Sequence, residues 1–175
     1  MPFRPRHILG ASLAAAAAVA PSAAQAGTSA CGSAATARPA SVSVASAQQA
    51  TLCLLNIQRA KHHLRPLHEN NALDRASAGH SRSMVNHKYF GHGDFVGRIH
   101  RAGYRGYTLG ENIAWGSLRY STPASIVNLW MHSPGHRANI LRAKFRDIGI
   151  GIAHGAPESG VGGAATYTTD FGKPA

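Results

Sequence analysis

Apolar positions recur at intervals of three and four through the first half of the chain and switch to strict alternation near its end, a pattern that predicts helices first and strands last. A first helix is expected from Val44 to about His63, with Leu52, Leu55 and Arg59 along one face and Cys53, Ile57 and Ala60 beside them. Pro66 closes it, because the residue before a proline is pushed out of helical geometry. A second amphipathic helix starts near Asn70 or Asn71 and runs to about Lys88, repeating Leu73, Ala76, His80, Ser83, Met84 and His87. Asp94 suits the cap of a short helix through Arg101, and Gly103 and Gly106 mark the loop after it. Thr122-Pro123 and Ser133-Pro134 each place a capping residue before a proline, predicting helix starts there; the first carries Ile126, Leu129 and Trp130 on one side. Between Asp147 and Ala153, Ile alternates with Gly or Ala, as in a strand whose second face is closely covered. Gly155 to Gly163 reads as a turn and Ala165 to Phe171 as the partner strand of a hairpin. A third strand is expected near Tyr107 to Trp115 or closer to the N-terminus. The order of elements argues for a layered α+β domain.

The first 26 residues break this pattern. Arg4 and Arg6, an almost uninterrupted apolar run from Ile8 to Ala20, and Ala24-Gln25-Ala26 form the three parts of a secretory signal peptide, with cleavage expected after Ala26. The run is too short to span a bilayer. No Arg-Arg pair points to twin-arginine export, and Thr28-Ser29-Ala30 lacks the leucine expected before a lipid-modified cysteine. Export in turn makes a bond between the two cysteines, Cys31 and Cys53, the default expectation, pinning a polar arm over residues 27–43 to the first helix; two free thiols are the alternative. The remaining 44–175 is the length of one domain with a real core.

Charge narrows the partners. The sequence has 18 Lys and Arg against 7 Asp and Glu, a formal net charge of +11. On an exported chain this suits anionic wall polymers, lipid head groups or acidic glycans, or serves solubility alone. The cations are scattered and no nucleic-acid-binding motif accompanies them, which argues against nucleic acid.

Three residues carry the candidate chemistry: His92 between Gly91 and Gly93, Glu111 between Gly110 and Asn112, and His136 in the first turn of the Ser133-Pro134 helix. Unpaired N–H groups and the positive end of the helix dipole disfavour an imidazolium at His136, and a neutral imidazole serves a metal ligand or a general base. Two imidazoles and a carboxylate are a sufficient protein ligand set for Zn²⁺ with an open position for water. The same trio without metal could hold a water between bases. Each has a plainer use: a loop hydrogen bond for His92, bracing of the next loop for Glu111, solvent exposure for His136. His80, on an apolar helix face, is expected to be a buried imidazole paired to backbone or to a neighbouring side chain rather than a metal ligand. No Gly-x-Ser-x-Gly elbow supports a serine nucleophile.

Leu73-Asp74-Arg75-Ala76 with His80-Ser81 and Met84, Tyr89-Phe90-Gly91-His92, Gly110-Glu111-Asn112-Ile113, Trp130 through Leu141 and Ile148-Gly149-Ile150-Gly151 together resemble the bacterial branch of the CAP superfamily, the cysteine-rich secretory, antigen 5 and pathogenesis-related group of SCP-like extracellular proteins. The blocks cover about Val44 to Phe171. The resemblance implies a three-layer α-β-α sandwich with a central antiparallel sheet and a cleft holding two histidines and two acidic residues, in which members can bind a divalent ion. His92, Glu111 and His136 match three of those positions, and the fourth, a glutamate in animal and plant members, falls on Ser133. The family implies no common reaction; its proposed roles span lipid or sterol binding, proteolysis and wall-associated defence.

Two functions follow as expectations. One is a secreted, monomeric module binding a small lipid-like or anionic ligand, or a cell-wall or membrane-surface component, at a His/Glu-lined cleft able to hold Zn²⁺ or another divalent cation without requiring it. The other is an extracellular hydrolase in which His92, Glu111 and His136 position Zn²⁺ or a water.

Overall fold

A computed structural model of the protein describes residues 29–174; the expected signal peptide lies outside the described residues. Short 3₁₀ turns at Ser33–Ala35 and Pro39–Ser41 precede α1 (Val44–Lys61). Then come β1 (His68–Glu69), α2 (Asn71–His87), α3 (Phe95–Arg101), β2 (Leu109–Ser117), α4 (Pro123–Met131), α5 (Pro134–Ile140), β3 (Asp147–His154) and β4 (Ala164–Gly172). The sheet order is β1-β3-β4-β2. Both expected locations for a third strand are used. The sheet is antiparallel except that the two-residue β1 runs parallel to β3, with His68 opposite Asp147.

Local sequence explains the helix starts. Ser43, Asn70, Asp94 and Thr122 each accept a backbone N–H of the first turn through a side-chain oxygen, satisfying donors that have no intrahelical partner. Ser133 is the exception: it makes no side-chain cap bond, and α5 begins on the restricted backbone of Pro134 with the Ser133 carbonyl taking the Arg137 N–H.

The alternation in β3 sends its residues to two different environments. Ile148, Ile150 and Ile152 join Phe145, Tyr167 and Phe171 under α1, α4 and α5, where Leu55 and Trp130 are fully buried. On α1 the buried face runs through Ala47, Ala50, Thr51, Leu54, Leu55 and Arg59, so Leu54 takes the inward place expected for Leu52. On α4, Val127 is buried and Leu129 faces solvent. Gly149 and Gly151 point the other way, into α2. A Cβ at Gly149 would fall inside the backbone of Leu73, and one at Gly151 inside that of Ser77, so the small residues let the helix axis approach the sheet. The three layers are therefore α2 with α3, the sheet, and α1 with α4 and α5.

Cys31 and Cys53 form a disulfide with a Cα–Cα distance of 5.6 Å, tying the N-terminal arm to α1. Among the described residues no helix is long and apolar enough to cross a membrane.

Candidate functional site

β2 is an edge strand, so both helical layers can reach it. From one side, Tyr89 to His92 and α3 converge on Glu111, whose side chain is 1% exposed. His92 Nδ1 lies 2.7 Å from Glu111 Oε1, and Arg98 pairs with Oε2. Since a carboxylate only accepts, Nδ1 carries the proton and His92 Nε2 keeps its lone pair. The His92 side chain remains 50% exposed, so its anchored imidazole is open to solvent.

The loop bearing His92 is itself held. His80 is buried, and its Nε2 donates to the Gly91 carbonyl at 3.0 Å, as expected of a core histidine bonded to backbone. Burial, with Arg98 and His92 nearby, pushes its pKa down to about 4, so it stays neutral. The Arg98 guanidinium also donates to the His92 carbonyl at 3.2 Å. Burial and Arg98 likewise lower the His92 pKa, partly opposed by Asp170.

From the other layer, α5 is stitched to β2 by two asparagines. Asn112 Nδ2 donates to the His136 carbonyl at 3.1 Å, and Asn139 Nδ2 donates to the Glu111 carbonyl at 3.1 Å and to Asn112 Oδ1 at 2.9 Å. His136 is thereby brought within electrostatic reach of His92. Its pKa falls because of burial first and His92 second, rather than the helix end expected from sequence, and its Nδ1 is buried without a hydrogen-bond partner.

A second acid completes the interior of the site. Asp170 is opposite Glu111 in the β2–β4 register and is fully buried. Its Oδ2 accepts from Ser77 Oγ at 2.8 Å, while Oδ1 has no donor. Burial and the neighbouring Glu111 raise the Asp170 pKa well above the usual carboxylate range. Burial raises Glu111 as well, but Arg98 and a hydrogen bond from Asp170 oppose the rise. Asp170 therefore holds the proton and donates it to an ionised Glu111, because two buried carboxylates in contact cannot both stay charged.

This arrangement bears on the expected metal set of His92, Glu111 and His136. Both Glu111 oxygens are engaged, one by His92 and one by a guanidinium that repels cations. Among the described residues, no three or more His, Cys, Asp or Glu side chains are grouped to hold a metal ion. The residues as placed do not fit a three-ligand Zn²⁺ centre, and Glu111 acts as the orienting partner of His92. The structure thus brings His92 and Glu111 into direct contact and His136 beside them. Sequence reasoning missed Arg98, Asp170 and Ser77. A buried acid in the alternating run Thr166 to Phe171 was the available signal for Asp170; the other two carried none.

A family model described as "CAP: Cysteine-rich secretory protein family" matches residues 52–169. The chain belongs to this family. The CAP domain is 35% identical over 114 residues to YkwD, an uncharacterized protein of Bacillus subtilis (strain 168), covering 62% of this chain and 43% of YkwD. It is 30% identical over 106 residues to YlbC, an uncharacterized membrane protein of the same organism, covering 58% of this chain and 30% of YlbC. The match thus spans less than half the length of either curated relative. Among solved structures it is similar to an extracellular protein containing a SCP domain from Bacillus anthracis, with a TM-score of 0.60 and 26% identity, covering 75% of this chain and 44% of that one. An outer surface protein of Borrelia burgdorferi shares the fold at a TM-score of 0.58 and 19% identity, covering 69% of this chain and 87% of that one.

Proposed function

We propose that this CAP domain is a secreted binding module whose ligand, hydrogen-bond-donating at one end and apolar at the other, docks at His92 Nε2 with His136 beside it. The observation that carries the reading is the half-exposed His92 imidazole, locked by an inaccessible Glu111 that is itself clamped by Arg98. Such a group is set in orientation before anything binds, which lowers the entropy lost on binding. Tyr89, Phe90 and Val96 are exposed on the same loop and on α3, giving the site an apolar rim, while His92 Nε2 offers it a hydrogen-bond acceptor. Secretion, with a leader over residues 1–26, is supported by the disulfide and by relatives described as extracellular or outer-surface proteins. An intact-mass measurement of exported protein should give a chain beginning at Gly27.

The binding test is calorimetry with octyl glucoside, whose hydroxyls donate, below its micellar concentration. Saturable heat is expected for the wild type and its loss in His92→Ala, with the melting temperature retained. Absence of heat in the wild type, or equal binding by the variant, overturns the reading.

One observation favours a second reading, an extracellular hydrolase. A histidine whose Nδ1–H is held by a buried carboxylate presents Nε2 as a general base, which could activate a water. Turnover of a peptide, ester and glycan panel that disappears in His92→Ala and falls in Glu111→Gln supports it; no turnover in the wild type removes it. A zinc titration belongs in the same series. Equal zinc binding by wild type, His92→Ala and His136→Ala excludes the metal set.

A further inference from the structure

Away from His92, a concavity of about 480 Å³ opens where β3 begins and β4 ends, lined by Arg65, Ala143, Lys144, Arg146, Lys173 and Pro174. Four of these six are cations. The ion pairs found among the described residues involve His92, Arg98 and Arg101, so none neutralises this hollow. The carboxylate next in sequence, Asp147, accepts the Tyr104 hydroxyl at 2.7 Å.

The floor adds a fifth charge. Arg59 is fully buried and its guanidinium donates only to carbonyls, those of Arg65 at 2.8 Å, Ile140 at 2.7 Å, Arg142 at 3.2 Å and Phe145 at 3.1 Å. Arg146 Nη1 donates to the carbonyls of Ala143 and Phe145. The segment carrying Lys144 and Arg146, and the Arg65 backbone opposite it, are thus tied to one centre, which holds like charges together around an open hollow. Burial and Arg146 press the Arg59 pKa down to about 10, the direction expected where cations crowd without a counter-ion.

The charge continues beyond the hollow. Arg142 lies over the Phe145 ring, and Arg137 contacts His62 one turn after Arg59. A basic strip several residues long suits a chain of anions better than a single ion. Among the described residues the exposed large apolar ones are Val44, Tyr89, Phe90, Val96, Tyr107, Leu118, Tyr120 and Leu129, none of them in this strip. It therefore has no side chain to insert among lipid tails and no aromatic platform on which a base could stack.

We propose that this strip is a binding site for a base-free phosphate polymer, with one phosphate seated among Arg65, Lys144, Arg146 and Lys173. The site is independent of the His92 reading. The test is anisotropy of labelled inorganic polyphosphate with the purified protein across a salt series. The double substitution Lys144→Gln with Lys173→Gln removes two exposed phosphate contacts. It is expected to weaken binding about tenfold and to flatten the slope of log K against log salt by between about one and two. Arg38→Gln with Arg82→Gln removes the same charge from exposed positions elsewhere and should change affinity less than about twofold. Equal losses in the two variants reduce the effect to net charge and overturn the proposal. Tighter binding to single-stranded DNA than to polyphosphate, or retention on phosphatidylglycerol vesicles that polyphosphate does not displace, overturns it in favour of nucleic acid or membrane.

Discussion

The two faces of the sheet are held by different physics. Under α1, α4 and α5, β3 and β4 present Ile148, Ile150, Ile152, Tyr167 and Phe171 to a hydrocarbon core centred on Trp130. Against α2 the same two strands present Gly149, Gly151, Thr168 and Asp170. The contact is made by near-touching backbones and by hydroxyls, Ser77 to Asp170 at 2.8 Å and Ser81 to Thr168 at 2.9 Å. The first face tolerates repacking because dispersion and burial are non-directional. The second tolerates little, since each bond needs its partner and each glycine its lack of a side chain. The candidate site grows out of the intolerant face. Glu111, Asp170, Ser77 and His80 are buried polar groups that only close, directional packing can satisfy.

Changes at four positions probe that contrast, the largest effect first. Gly151→Val should prevent folding or cost more than about 4 kcal/mol, since its side chain would occupy the Ser77 backbone; a soluble, cooperatively melting variant would show that α2 can move away from the sheet. Trp130→Ala, on the hydrocarbon face, should cost about 3–5 kcal/mol in urea unfolding yet leave a folded protein, because the loss is a cavity rather than a collision. An effect equal to that of Gly151→Val would erase the distinction between the faces.

Acid should act through the polar face. The His80 pKa is about 4 in the fold against 6.5 when free. Below 6.5 the unfolded chain binds a proton that the folded chain refuses, so this contribution is complete above 6.5 and is lost as the pH falls toward 4. It amounts to at most about 3 kcal/mol. Glu111 and Asp170, whose pKa values are raised, act in the opposite sense and moderate the fall. Chemical unfolding followed across this range should steepen with acid in the wild type and flatten in His80→Asn; identical profiles would remove His80 as the source. Smallest of all, Asp170→Asn should cost less than about 1 kcal/mol, because a neutral donor replaces a neutral donor. Asp170→Ala should cost about 1–3 kcal/mol, because it removes the bond from Ser77 Oγ, which keeps only the Gly149 carbonyl as acceptor, and leaves a buried gap beside Glu111. A large loss in Asp170→Asn would place the charge on Asp170 instead.

Most elements were legible along the chain. The capping residues Asn70, Asp94 and Thr122 and the alternation of Ile with Gly act within a few residues, and they marked α2, α3, α4 and β3 closely. Arg59 was placed on the apolar face of α1, but nothing local marked its four carbonyl partners, which lie as far away as Phe145. At the site, His92, Glu111 and His136 stood out by residue type and neighbours. Arg98 did not, because nothing local distinguishes an arginine facing a buried carboxylate from one facing water.

The sequence alone determined the family, the order of helices and strands, and which histidines were candidates, because these depend on periodicity, caps and short motifs. Tertiary structure decided what those candidates do to one another. The β2–β4 register sets Glu111 opposite Asp170, the approach of α2 over Gly149 and Gly151 delivers Ser77 from 93 residues away, and Arg98 takes the second carboxylate oxygen. Charge and proton placement in a buried site follow from such long-range neighbours, and no local pattern encodes them.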